Sequence, residues 1–600
     1  MLTQGARPRQ LRWFHAGPML FGDWGTSRLY VLGLALAYTQ YSALWFMGLM
    51  SLLLIAVGWA YMVICRLHPD GGGVYSSAKE QSQSLAVFGA LLLCADYVVT
   101  AALSALDAFH YAGLEHASLW AALSIAVVGL INYFGPTKAG SVALVVALLT
   151  VLLSLVIGGS ALPYLGAARV EPPQGDPTAW WRQFTLLILA ISGVEAVSNM
   201  TGIMVQPVAR TARRAIWPVL LEIVVLNMVL TAAMLAIPAE YLGDGDAANA
   251  FTAHRDTMLK LLAEYYVGPI FAQGAAIVFA LLLLSAVNTA ISDLVSIQYM
   301  LSRDRELPPA FGGLNKWGMP ALPLLIGTIV PAITVLAVPD VGHLADLYAI
   351  GVVGAVTVNL GCTATNFRNE LRRYERIPML ALAGLMLAIW ITIGWTKPHA
   401  LLFAGTIVGA GFAARYAAHR REQIKDWVAT VAPTLSAVAA ESVAKSLAFF
   451  TKPGVRHGAV NVATQTRILV ATRNNPRLIR FALDEAKLRN GEMYLLFVRH
   501  LAVARMGTPT KNQVAADPEA AELFATVAKE AEVKGVPVHF LYTMAYDVAD
   551  VILEIAVTHA VDYVILGSSQ RGALWRTMKG DVIRDVAQHL PERINLLLHG

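Results

Sequence analysis

Residues 22–30 read Gly22-Asp23-Trp24-Gly25-Thr26-Ser27-Arg28-Leu29-Tyr30, in the middle of an otherwise apolar run over 17–39. A run of about 20 apolar residues is long enough to cross a bilayer. Two glycines, a carboxylate, two hydroxyls and an arginine make a poor lipid-facing helix. Irregular or charged backbone at that depth persists only where it lines a cavity or is buried in protein. The segment therefore predicts a broken helix inside a larger membrane bundle.

The composition of the whole chain agrees. Of 600 residues, 56% are hydrophobic and 14% charged, where soluble chains carry about 25% charged residues. This excludes an intrinsically disordered chain and a wholly soluble enzyme. The net charge of +5 lends no support to a nucleic-acid partner. The three cysteines, Cys65, Cys94 and Cys362, are scattered through apolar runs, as packing thiols are, and do not make a disulfide framework. Residues 1–12 are polar and basic, without the pattern of a cleavable signal. Residues 1–415 carry 23 Lys+Arg and 22 Asp+Glu, whereas the much shorter 416–600 carries 22 and 18. The first part reads as membrane and the second as a soluble domain.

Candidate spans are 17–39, 43–65, 84–107, 118–135, 139–159, 183–205, 216–238, 267–300, 321–338, 344–366, 377–395 and 398–415, twelve in all. With a cytoplasmic N-terminus, the cytoplasmic segments hold 17 Lys+Arg and the outer segments five, Arg169, Arg182, Arg255, Lys260 and Lys397. Basic loops stay inside, so both termini and the soluble domain are expected in the cytoplasm, on an inner, cytoplasmic membrane whose lipid surrounds the first part.

A second interruption lies in the sixth span, Ala190-Ile191-Ser192-Gly193-Val194-Glu195-Ala196-Val197-Ser198-Asn199. Inverted-repeat transporters place substrate at the midplane, on helices broken at matching positions of the two halves. Asp23, Asp96 and Glu195 lie well inside spans, and an ionisable group at that depth marks a pathway. In the third span, Asp96, Tyr97, Thr100 and Ser104 share one helical face. That face offers a carboxylate, a phenol and two hydroxyls for a weakly hydrated cation. The plainer reading is that a membrane Ser or Thr bonds its own helix, and that a lone carboxylate pairs with another helix. Glu222, Asp293 and Asp346 lie nearer span ends and read as structural or gating. Arg28 is read as a charge partner for Asp23, Asp96 or Glu195, as facing an aqueous vestibule, or as a holder of a substrate carboxylate.

The segment 22–30 resembles the GDIGTSPLY motif of Kup-type potassium-uptake permeases. His68-Pro69-Asp70-Gly71-Gly72-Gly73-Val74-Tyr75 resembles the P-x-G-G-G-x-Y loop shared with KimA-type potassium importers, and similar stretches recur at 93–104, 192–199 and 301–304. Both groups belong to the amino acid–polyamine–organocation (APC) superfamily. The resemblance implies an α-helical polytopic membrane protein with a LeuT-like five-plus-five inverted repeat and 12 transmembrane helices. It further implies proton-coupled potassium symport, with Asp23, Tyr30, Asp96, Tyr97, Thr100, Ser104 and Ser192 as K+ ligands and Glu195 as the proton-coupling carboxylate. Oxygens of these types can replace the hydration shell of potassium.

Arg28 stands where the Kup motif has proline, Trp24 replaces an aliphatic residue, and Ser192 replaces the threonine of KimA-type proteins. An amino-acid or other organic-cation permease is the rival reading. Such permeases expose backbone amides in a glycine-rich first span to a carboxylate; here Asp23 would repel one. A membrane sensor with a transporter-like fold is the third.

Residues 416–464 form a polar linker with helical periodicity over 424–450, read as an amphipathic or packing helix. Residues 465–600 alternate strand and helix patterns: strands at 467–472, 493–498, 538–541 and 562–567, and helices at 476–489, 518–534, 547–560 and 581–589. Alternation implies a doubly wound parallel sheet. The pattern resembles a cytoplasmic universal stress protein (USP) domain. Nucleotide-binding members use a G-x-x-G-x(9)-G-[ST] loop, of which Gly567, Ser568, Gly572 and Gly580 are the degenerate counterpart, with Asp581 set to repel a phosphate. The expectation is a homodimer through this domain or a regulatory nucleotide, with no cofactor. No nucleophile, metal cluster or P-loop suggests an enzyme.

Overall fold

The computed structural model describes residues 11–134, 139–238, 241, 252–315, 317–368, 371–431, 466–473, 475–500, 517–545, 548–567, 582–591 and 593–599. Two compact units emerge, one from Arg9–Arg415, the other from Tyr416–Ala502 and Thr508–Gly600.

The first unit is helical. Its elements are α1 (Trp13–Trp24), α2 (Ser27–Thr39), α3 (Ala43–Leu67), α4 (Gly73–Lys79), α5 (Gln83–Ala112), α6 (Ala117–Tyr133), α7 (Ala139–Ala161), α8 (Pro177–Leu186), α9 (Ala196–Met200), α10 (Val208–Leu235), α11 (Met258–Tyr266), α12 (Pro269–Arg303), α13 (Ala321–Ala337), α14 (Val341–Thr365), α15 (Arg373–Thr396) and α16 (Pro398–Val431). Among the described residues, eight helical stretches are long and apolar enough to cross a membrane, or nine with the bent pair Pro177–Leu186 and Ile188–Ile203. One of the eight, Trp13–Leu67, takes in the first two expected spans, and two apolar helices, α6 and α13, fall short at 17 residues. Each expected span lands on one of these helices.

Helix ends follow the local sequence. Ser82 caps α5 and Asp340 caps α14, each side chain accepting from the backbone N–H three residues on. The left-handed Gly113 terminates α5. Two short helices, α4 and α11, lie outside the expected spans; both are too short to show a hydropathy signal. The last expected span, 398–415, continues as helix to Val431, and the linker reading over 432–464 lies outside the described residues.

The C-terminal unit is a five-stranded parallel sheet, β1 (Arg467–Ala471), β2 (Glu492–His500), β3 (Val538–Ala545), β4 (Tyr563–Gly567) and β5 (Asn595–His599), in the order β3-β2-β1-β4-β5. Between and after the strands run α17 (Pro476–Leu488), α18 (Pro518–Lys534), α19 (Val548–Thr558) and α20 (Val582–His589). Ile468, Val470, Met493, Leu495 and Phe497 belong to one core, Leu469, Leu496 and Val498 to another. Alternate residues thus bury into opposite layers, as a doubly wound sheet requires. The terminal strand β5 was not expected: a five-residue strand at an edge, with no helix after it, has no periodicity to read.

Asp517 ties this unit together. Its carboxylate caps α18, accepts two hydrogen bonds from Arg499 at 2.8 and 2.5 Å, and accepts one from the Tyr542 hydroxyl at 3.0 Å. Burial raises its pKa, but Arg499, the Ala520 amide and Tyr542 outweigh burial and hold it below the usual carboxylate value. A depressed folded value means that the stabilisation is complete above the unfolded carboxyl's pKa of about 3.9. It is lost as pH falls from there through the folded value. Asp517→Asn should therefore flatten the acid limb of the unit's thermal midpoint below about pH 4. Arg499→Ala should destabilise the unit by about 1–3 kcal/mol at pH 7.

Candidate functional site

Both expected interruptions appear, the first as a mild one whose residues keep right-handed helical dihedrals, the second as a bend of 44°. In the first, α1 ends at Trp24, Gly25 and Thr26 make the turn, and α2 starts at Ser27. The Thr26 hydroxyl donates to the Asp23 carbonyl at 2.6 Å and the Ser27 hydroxyl to the Trp24 carbonyl at 2.7 Å. These hydroxyls satisfy carbonyls near the interruption, as a helix terminus away from water needs. In the second, a 3-10 turn, Ile188–Ile191, gives way to an extended Ser192 and a left-handed Gly193 (φ +88°) before α9.

The two breaks touch. A Cβ on Gly193 would lie 2.6 Å from both the Asp23 carbonyl carbon and the Trp24 nitrogen, so glycine is needed there for space and for its φ. The Gly71-Gly72-Gly73 loop, left-handed at all three residues, packs on the same region: a Cβ on Gly71 would meet the Asn199 carbonyl oxygen at 3.2 Å.

Around this contact the structure gathers oxygens. Tyr30, Asp96, Tyr97, Ser192 and Glu195 are all at most 5% exposed; Asp23 and Thr100 are half-buried; Ser104, also buried, continues the α5 face one turn beyond Thr100. Tyr30 is hydrogen-bonded to Ser192, whose hydroxyl also bonds that of Tyr348. The Asp96 carboxylate is hydrogen-bonded to Tyr348 and faces Thr100 Oγ1 at 3.5 Å. Thr100 also donates to its own helix, to the Asp96 carbonyl at 2.9 Å, which leaves its oxygen lone pairs. The Tyr97 hydroxyl accepts from Asn199 at 3.0 Å. Glu195 accepts from the amides of its own residue and Gly193, and lies in electrostatic range of Asp96 and Asp293. One oxygen each of Asp96, Glu195 and Asn199 is buried with no hydrogen-bond partner among the described residues. Buried, unsatisfied carboxylate oxygens cost several kcal/mol unless a cation or proton fills the site. The donors are mixed carboxylate, phenol and hydroxyl; among the described residues no three His, Cys, Asp or Glu converge as a metal cage.

Arg28 departs from its expected partners. Its guanidinium is fully buried, 2.5 Å from Glu222 Oε2 on α10 and 5.4 Å from the Phe21 ring centre. Its charge is neutralised by Glu222. Glu222 is thus a structural partner, and Asp346 pairs with Lys397. Asp293 does not lie at a span end: α12 runs 35 residues, and Asp293 is buried within it, in range of Glu195 and Tyr97. Its place among Asn288, Ser292 and Ser296 is the signal that would have found it. Tyr348 had none, since a tyrosine two residues after Asp346 reads as interfacial. Of the nucleotide-loop residues, Gly567 ends β4, and Ser568, Gly572 and Gly580 lie outside the described residues.

Ion pairs close the bundle at both ends. Where α5 begins, Asp304 takes Tyr75 at 2.8 Å and Lys79 at 2.5 Å, Glu306 takes Arg415 at 2.5 Å, and Glu375 takes Arg66 at 2.8 Å. Where α5 ends, Arg255 bonds Asp256 and Asp340, each at 2.8 Å.

Two substitutions test this geometry. Gly193→Ala places a side chain against backbone at a φ that costs about 1 kcal/mol by itself; the thermal midpoint of the detergent-purified protein should fall by several degrees. Arg28→Met leaves Glu222 buried and uncompensated, a loss of about 3–5 kcal/mol, whereas Arg28→Met with Glu222→Leu should recover most of that midpoint.

The comparisons accord with the architecture. The family model described as "Amino acid permease" matches residues 11–411, and that of the universal stress protein family matches 465–593. The potassium transporter KimA of Bacillus subtilis (strain 168) is 25% identical over 383 residues, 58% of this chain and 60% of its own length. The match thus spans less than two thirds of that relative. A solved structure of a universal stress protein in complex with cAMP covers 23% of this chain and 98% of its own, at 15% identity and a TM-score of 0.18, too low to carry weight. The match over 11–411, on a bundle with two facing helix breaks, makes the chain a member of the amino acid permease family, with a C-terminal universal stress protein domain.

Proposed function

We propose that the protein is a secondary active transporter that takes up potassium with protons across the cytoplasmic membrane. The observation that carries this is the buried oxygen cluster at the two breaks. Asp23, Tyr30, Asp96, Tyr97, Thr100, Ser104 and Ser192 would hold the cation, joined by Tyr348. Glu195, with one unpartnered buried oxygen, would carry the proton. Arg28, which follows Asp23 by five residues, is tied to Glu222, so it does not cancel the cluster's negative potential. Dehydrating a weakly hydrated cation suits such mixed oxygens. KimA is named as a potassium transporter, which supports the same reading. Twelve crossings follow from the apolar runs and both termini inside from the loop charges, and alternating access would break the ion pairs at one end of the bundle at a time.

A second reading, transport of an amino acid or another organic cation, is favoured by the matching family's description. An amino acid's carboxylate would then need the amides at the breaks, but it would face Asp23, Asp96 and Glu195.

The C-terminal unit regulates transport or pairs protomers. Strand β5 lies at the sheet edge with Leu598 57% exposed, and an open edge invites pairing with a second copy. A regulatory nucleotide would have to use contacts other than the degenerate loop.

Growth of a potassium-uptake-deficient host on low potassium, run beside uptake of labelled amino acids, separates the readings. Rescue is expected, and Asp23→Asn and Glu195→Gln should each abolish it at unchanged membrane abundance. Amino-acid uptake without rescue would establish the second reading.

A further inference from the structure

Asp107 belongs to neither the site above nor the ion pairs at the ends. It lies eleven residues after Asp96 on α5, a rotation of about 20° and a rise of about 16 Å. It therefore extends the Asp96-Thr100-Ser104 face toward the end that the loop charges make the outer one. Its carboxylate is fully buried, and neither oxygen has a hydrogen-bond partner among the described residues. The Tyr30 and Tyr111 phenols lie in electrostatic range of it, as does Asp256 beyond. Tyr111 donates its proton to the Leu29 carbonyl at 2.8 Å, which leaves the lone pairs of its oxygen available. Tyr30 is also in range of Asp96, so one phenol is within reach of both carboxylates' charge.

We infer that Asp107, with the Tyr30 and Tyr111 phenol oxygens, forms a second, outer site for a weakly hydrated monovalent cation, loaded before the central cluster. The inference rests on the potassium reading. A buried carboxylate must be neutralised. The two phenol oxygens in its range offer a cation further ligands. A cation can draw together oxygens that are not hydrogen-bonded to one another, as those of Asp107 and the two phenols are not. Placing it in line with Ser104 gives the ion a stepping stone into the central site, and binding at two sites lets one ion help displace the next.

Equilibrium binding of radioactive rubidium to the purified full-length protein tests this, together with the concentration dependence of rubidium uptake in proteoliposomes. Asp107→Asn should bind about one ion fewer per chain and raise the half-saturating external concentration about tenfold, or 1.4 kcal/mol, with maximal uptake within about twofold. Asp96→Asn should abolish uptake yet keep the outer ion. Asp107→Glu, which keeps the carboxylate, should retain the stoichiometry with altered affinity and guards against a misfolded Asp107→Asn. Unchanged binding and uptake in Asp107→Asn would overturn the outer site while leaving the potassium reading intact. A change confined to the pH dependence of uptake would make Asp107 a proton carrier and overturn it equally. Wild-type protein that binds no rubidium would overturn both readings together.

Discussion

The contact of Gly193 with the backbone of Asp23 and Trp24 is the constraint from which the rest of the helical unit follows. Two helices that both lose their hydrogen-bond ladder in an apolar interior would each leave orphaned amides and carbonyls. Bringing the breaks together lets side chains close some of those groups, as Thr26, Ser27 and Ser198 do, and leaves the others facing a common centre. A side chain at residue 193 would hold the breaks apart. The polar centre therefore depends on the smallest residue in the chain.

Around that centre, charge is distributed unevenly. Asp96 lies in electrostatic range of Asp23 and Glu195, and Glu195 of Asp293, while the buried guanidinium of Arg28 is committed to Glu222. In a low-dielectric interior, like charges cannot all remain ionised without a counter-ion. Under the proposed function, a cation or proton entering the site would supply that counter-charge, the differential interaction that a coupled transporter needs. Arg28 contributes by holding α2 to α10, away from the carboxylates.

The ion pairs at the two ends of the bundle act on a different axis. Asp304 binds α4 to α12, and Arg255 binds the loop before α11 to the start of α14. They are local and polar and can re-form elsewhere, whereas the packed apolar faces between them resist gradual deformation. Under the proposed alternating access, such a body would move between discrete arrangements by exchanging ties at its ends.

The sequence alone determined a good deal. Apolar runs of membrane length, the polar interruptions at 22–30 and 192–199, the basic bias of one set of loops, and the strand–helix alternation after residue 466 are local properties, readable because hydrophobic periodicity and breaker residues act over a few positions. The doubly wound sheet and the breaks were legible in this way, as was the shared face of Asp96, Thr100 and Ser104. Only the tertiary structure decided which side chains meet. Arg28 pairs with Glu222, 194 residues away; Tyr348 joins Ser192 across 156 residues; Asp293 comes in from the middle of a 35-residue helix. Charge and hydroxyl identity are written in one dimension. Which partner neutralises a buried charge depends on helix rotation and on the turn taken at a break, and no spacing along the chain encodes that.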